Sequence, residues 1–109
     1  MPYYLIQAAY TADSWAAQVK APQDPRSRVG PLAEAVGGRL ETTYYAFGDF
    51  DIVAVAEFPS NDAAAAFSLA AAAGGAVKNI RTTPLMTVEE GLSAMKKAAD
   101  AGSAYRPPR

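Results

Sequence analysis

Asp51 is the residue whose position in the sequence most favours acid–base chemistry. It follows the turn Gly48-Asp49-Phe50 and enters the apolar run Ile52-Val53-Ala54-Val55-Ala56. A carboxylate at the mouth of an apolar strand is open to burial and to a perturbed pKa, which suits a general base or an anchor for a polar ligand. The same placement also suits a turn-stabilising aspartate, the more frequent use of this residue. Tyr3, Tyr4, Tyr10, Tyr44 and Tyr45 gather near predicted strand ends. Of these, Tyr10 and Tyr45 are the candidates to line a cleft and bind an oxygenated organic molecule, although tyrosine is equally at home in an interface. Trp15, the one tryptophan, either lines a pocket between helix and sheet or fills the core. Arg39 and Arg81 fall on different strands of an apolar frame, so each needs a partner: Glu41, Glu57, Asp51 or a ligand carboxylate. A protein salt bridge is the commoner answer. Lys20 and Lys78 read as solvated.

The residues that are absent narrow the chemistry further. The chain has no histidine and no cysteine. A thiolate–imidazole or serine–histidine nucleophile pair is therefore excluded, as are a histidine- or thiolate-held haem and an ordinary zinc site. No carboxylate cluster suggests an oxygen-ligated metal, so neither cofactor nor metal is expected. Acid–base work falls to Asp, Glu, Lys, Tyr or the N-terminus. Removal of Met1 would expose the amine of Pro2, and the start Met1-Pro2-Tyr3-Tyr4 resembles that of tautomerases that use such an amine as base. This is a minor alternative, with phenylpyruvate as its test substrate.

The elements that must position these residues can be read from caps and periodicity. Residues 3–9 form a first strand. Thr11 caps a helix from about Ala12, with Asp13 in its first turn and Trp15 and Val19 on one face. Ala21-Pro22-Gln23-Asp24-Pro25 interrupts it, and a second piece runs to Val36, where Gly37-Gly38 stops it. Gly30-Pro31 predicts a break or kink inside that piece. Residues 39–47 and 50–58 read as an antiparallel hairpin across Gly48-Asp49. Pro59 and Ser60 end the strand and open a helix whose only polar residue from Ala63 to Ala73 is Ser68, so more than one side of it should be covered. Gly74-Gly75 ends this helix. Residues 77–86 form a fourth strand, with Pro84 placing its end at an edge or bulge. Thr87-Val88-Glu89-Glu90 is a capping box. It starts a helix with the apolar stripe Val88, Leu92, Met95 and Ala99, and with Lys96 and Lys97 near its end. Residues 101–109 read as an extended arm, whose docking on the body or on a neighbouring subunit would be tested by deletion.

This order predicts one α+β domain, a ferredoxin-like β-α-β-β-α-β sandwich over residues 1–100 with an extra C-terminal helix. Both parities of the first and third strands are largely apolar: Tyr4, Ile6 and Ala8 against Tyr3, Leu5 and Ala9, and Ile52, Ala54 and Ala56 against Val53 and Val55. An antiparallel sheet with one wet face would alternate cleanly. A second covered face is therefore expected, supplied by a second copy of the chain.

The run Gly37-Gly38-Arg39-Leu40, then Tyr44-Tyr45, then Gly48-Asp49-Phe50-Asp51-Ile52-Val53, then the alanine-rich helix and Gly75-Ala76-Val77, resembles the GYD-domain family over roughly residues 3–90. Gly48 and Asp51 match the family's namesake glycine and aspartate, while Phe50 stands where the tyrosine would be and removes its hydroxyl. The resemblance implies the dimeric α/β-barrel superfamily, in which ferredoxin-like subunits pair through their sheets.

Composition bounds the remaining possibilities. Of 109 residues, 50% are hydrophobic and 19% charged, within the range of a globular domain. The net charge is -1 and the pI about 5.3, with no basic cluster, so neither nucleic acid nor an anionic membrane is an expected partner. No leader and no span-length apolar run stand out, and the lack of cysteine suits the cytoplasm. Two functions remain open. One is a small-molecule-binding oligomer, with monooxygenase- or isomerase-like chemistry on an oxygenated organic as its catalytic form. The other is a non-catalytic assembly module.

Overall fold

The computed structural model describes residues 1–108; Arg109, the end of the expected arm, lies outside them. The first strand, β1, spans Tyr3–Tyr10 and leads into α1, Ala12–Lys20. Thr11 caps α1 by accepting the Ser14 N–H at 3.1 Å. Residues 21–25 break the helix as expected, and α2 follows over Arg26–Ala35. Of the break or kink expected at Gly30-Pro31, the break is absent: α2 is continuous through Pro31. The proline lies in the middle of a short helix whose apolar face, Val29, Leu32 and Ala33, packs on the core, and that packing holds the helix across the missing rung. The Gly38 N–H reaches Ala33 O at 2.8 Å and the Gly37 N–H reaches Glu34 O at 2.9 Å, a Schellman stop that requires the left-handed φ of 86° at Gly37.

The hairpin strands β2, Arg39–Tyr45, and β3, Ile52–Glu57, are followed by α3, Asn61–Ala73, then β4, Val77–Leu85, and α4, Val88–Ala101. The sheet is antiparallel in the order β2-β3-β1-β4, compatible with a ferredoxin-like fold. Its helix-facing side forms the core, with Tyr4, Ile6, Ala56 and Phe58 packed on Ala33, Ala63, Ala64 and Phe67. The Tyr4–Phe58 and Phe58–Phe67 ring centroids lie 5.6 and 5.3 Å apart. Two apolar surfaces remain open in the single chain, and coverage is expected from the sequence for the first. Only one face of α3 is covered, and Leu69 is exposed. Val88, Leu92 and Met95 of the α4 stripe are exposed too, and the main contact of α4 is with the short turn Gly102–Ala104 that follows it. The molecule is elongated, 59 × 34 × 22 Å.

Candidate functional site

An apolar cavity of about 270 Å³ lies between the sheet and the helices. Small side chains create it. Ala8 and Ala54 on the sheet and Ala70, Ala71 and Gly74 at the end of α3 all line it, and their small side chains leave space that larger ones would fill. Ile6, Val29, Leu32, Leu40, Ile52 and Ile80 complete most of the wall. Only three lining residues carry polar side-chain groups: Tyr10, Arg28 and Thr43.

A break in regular β pairing orients Tyr10. β3 begins at Ile52, paired with Ala8, so the last rungs beside β1 have no strand residue to complete them. Asp51 completes both. Its backbone N–H donates to Ala8 O at 2.9 Å, and its Oδ2 accepts the Tyr10 N–H at 2.9 Å. The same Oδ2 accepts the indole Nε1–H of Trp15 at 3.2 Å. Trp15 then packs edge-on against Tyr10, with centroids 5.1 Å apart, and tilted against Tyr45 at 6.4 Å. Asp51 thus joins the end of the sheet to α1 and fixes the ring of Tyr10 at the cavity.

The Tyr10 hydroxyl accepts a bond from Arg28 Nη2 at 3.4 Å. Burial raises the phenol's pKa above its ordinary value of 10.0, with the Arg28 hydrogen bond opposing the shift. Tyr10 is therefore a neutral hydrogen-bond donor at physiological pH rather than a phenolate base. Thr43 Oγ1 is buried and has no hydrogen-bond partner. An orphaned buried hydroxyl costs free energy, about 1–3 kcal/mol, unless something in the cavity pairs with it.

The candidates from the sequence divide between the two faces of the sheet. Asp51, Trp15, Tyr10 and Tyr45 come together. Tyr10 lines the cavity, while Trp15 and Tyr45 border a shallower groove beside it with Gln18 and Pro22. Arg39 and Arg81 sit on the opposite face. Arg39 bridges Glu57 at 2.6 Å and Glu41 at 3.0 Å, two of the partners expected for it. Arg81 lies 5.4 Å from the centroid of the Phe50 ring, a cation–π contact at the position where the family's tyrosine would stand. Lys20 and Lys78 are exposed.

Two polar lining residues, Arg28 and Thr43, went unmarked in the sequence. A bulge hides Thr43. Leu40 pairs with Ala56 and Thr42 with Val55, so Glu41 is the extra residue and the parity of β2 changes there. Leu40 and Thr43 then share the core face, although they are three apart in sequence.

The sequence model of the GYD domain family matches residues 4–95. The chain belongs to the GYD domain family. No curated protein matches it. In this GYD domain, the family aspartate Asp51 positions two aromatic residues, and the end of α3 at Gly74 borders the cavity. Among the described residues no group of histidine, cysteine, aspartate and glutamate could hold a metal ion, and no helix is long and apolar enough to cross a membrane.

Proposed function

We propose that this GYD domain binds a small organic molecule in the cavity between its sheet and helices. The observation that carries this reading is an apolar cavity of about 270 Å³ whose wall holds an orphaned Thr43 hydroxyl and a fixed Tyr10 phenol. Ligand sites are typically apolar with a few convergent polar groups, and this volume sits near the small end of their range of ~300–1,000 Å³. Asp51 acts as a positioning residue through Tyr10 and Trp15. Cofactor-free chemistry on an oxygenated organic and Pro2-based tautomerism are catalytic extensions of this reading. Turnover of phenylpyruvate that is lost in Pro2→Ala would establish the second.

The binding unit we propose is a dimer, or a multiple of dimers, paired through the outer sheet face in a dimeric α/β barrel and working in the cytoplasm. Leu5, Val53 and Val55 are neighbours on that face and lie outside the hydrophobic core. The exposed stripe of α4 gives the alternative, an assembly module without a ligand, its own support. Native mass spectrometry of freshly purified protein, repeated after denaturation, separates the two. Dimers that release a small molecule support the binding reading, and dimers with no adduct favour assembly. A monodisperse monomer at micromolar concentration refutes the sheet-paired dimer and the assembly module, and a monomer that releases no small molecule leaves the binding reading without support.

A further inference from the structure

The polar groups at the cavity differ in a way that bears on what enters it. Arg26 is paired with Asp24 at 2.6 Å and Arg39 with Glu41 and Glu57. Arg28 has no carboxylate partner among the described residues. Its two hydrogen bonds, to Gln18 Oε1 at 3.1 Å and to the Tyr10 hydroxyl at 3.4 Å, both come from Nη2. A guanidinium has five N–H donors in a planar fork, so most of this one remains available. The Tyr10 oxygen accepts from Arg28, and its own proton has no acceptor among the described residues. Thr43 adds an unused hydroxyl within the same wall. No carboxylate lines the cavity, and the nearby Asp51 already accepts two hydrogen bonds with one oxygen.

Cation, phenol donor and apolar hollow are therefore contiguous. Resting on the small-molecule reading above, we infer that the ligand is an apolar monocarboxylate, its carboxylate held by Arg28 and the Tyr10 hydroxyl and its hydrocarbon body in the alanine-lined hollow. An arginine fork pairs with a carboxylate through charge-assisted hydrogen bonds, and adjacent low-dielectric walls strengthen them. An ammonium would face an unpaired cation, and a neutral alcohol would leave the fork unused. The volume sets the size. At ~30 Å³ per water, 270 Å³ equals about nine waters, so the body and head together comprise about ten heavy atoms. Octanoate is of that size.

The test titrates the full chain with octanoate, 1-octanol and octylamine, reading Trp15 fluorescence and native mass. Octanoate should bind at least tenfold more tightly than 1-octanol, with octylamine weakest. Arg28→Met should weaken octanoate at least tenfold and octanol much less, while Arg28→Lys, which keeps the charge, should retain most of the octanoate preference. Arg28 is exposed, so both variants should fold. Octanol binding as tightly as octanoate, or an octanoate preference that survives in Arg28→Met, overturns the monocarboxylate assignment but leaves cavity binding standing. No binding by any of the three overturns both.

Discussion

Removing the Asp51 carboxylate tests whether this residue holds the site together. In Asp51→Ala, the Tyr10 N–H and the Trp15 indole N–H lose a shared acceptor at 2.9 and 3.2 Å. Hydrogen bonds to a charged group contribute about 1.5–3 kcal/mol each, and a buried donor left unpaired adds a desolvation cost. Asp51 is itself half-buried, so water partly replaces it and the lower end of that range applies. The two bonds together then give about 3 kcal/mol, a fall in Tm of roughly 10–20 °C for a domain of this size. Asp51→Asn keeps an acceptor of the same shape without the charge and should cost about 1 kcal/mol. Thermal and urea unfolding measure both variants. Trp15, as the only tryptophan, reports the local change by a red shift in Asp51→Ala and little shift in Asp51→Asn. An alanine variant within about 0.5 kcal/mol of the parent, the range of an ordinary surface change, would refute this account. So would an asparagine variant as damaged as the alanine one.

Other perturbations probe separate parts of the molecule. A Cβ at Gly38 would overlap the Glu57 carbonyl and the Phe58 ring, so Gly38→Ala should cost about 1–3 kcal/mol in denaturant unfolding; an unchanged midpoint would count against that close approach. Thr87→Ala removes the cap of α4 and should cost that helix about 1 kcal/mol, read by amide hydrogen exchange in residues 88–101, while the global midpoint stays put because α4 buries no residue against the body. The same cap is pH-sensitive. Its backbone N–H bond to Glu90 holds that carboxyl's pKa below the ordinary 4.5, so the stabilisation is full above about 4.5 and fades as pH falls through the lowered value. Circular dichroism should show Glu90→Gln, which keeps the acceptor shape but cannot ionise, losing this acid dependence. Leu5→Glu places a charge on the outer sheet face and should turn the proposed dimer into a monomer in sedimentation; a dimer that persists would move the interface elsewhere.

Local signals made most of the fold legible. Thr11, Ser60 and Thr87 cap α1, α3 and α4 as their positions indicate, and the Gly37-Gly38 and Gly74-Gly75 pairs end helices. These devices act within a few residues, so a sequence displays them directly. The continuity of α2 through Pro31 was not legible, because the packing that sustains it comes from the distant core strands. The exposure of α4 was not legible either. Its apolar stripe promises a contact without saying whether one chain can make it.

The same division runs through the site. By itself, the sequence determined the β-α-β-β-α-β order, the two-sided apolar character of the sheet, the absence of histidine and cysteine chemistry, and the prominence of Asp51. Only the tertiary structure decided what Asp51 touches, since its bond to Tyr10 joins residues 41 apart and depends on where β3 happens to stop. It also decided that Arg28, 18 residues from Tyr10, meets that phenol at a cavity mouth. One inserted residue at Glu41 turned Thr43 inward. Caps and periodicity act along the chain and can be read from it. A cavity is the space left between alanines from three distant segments, and it exists only once those segments are packed together.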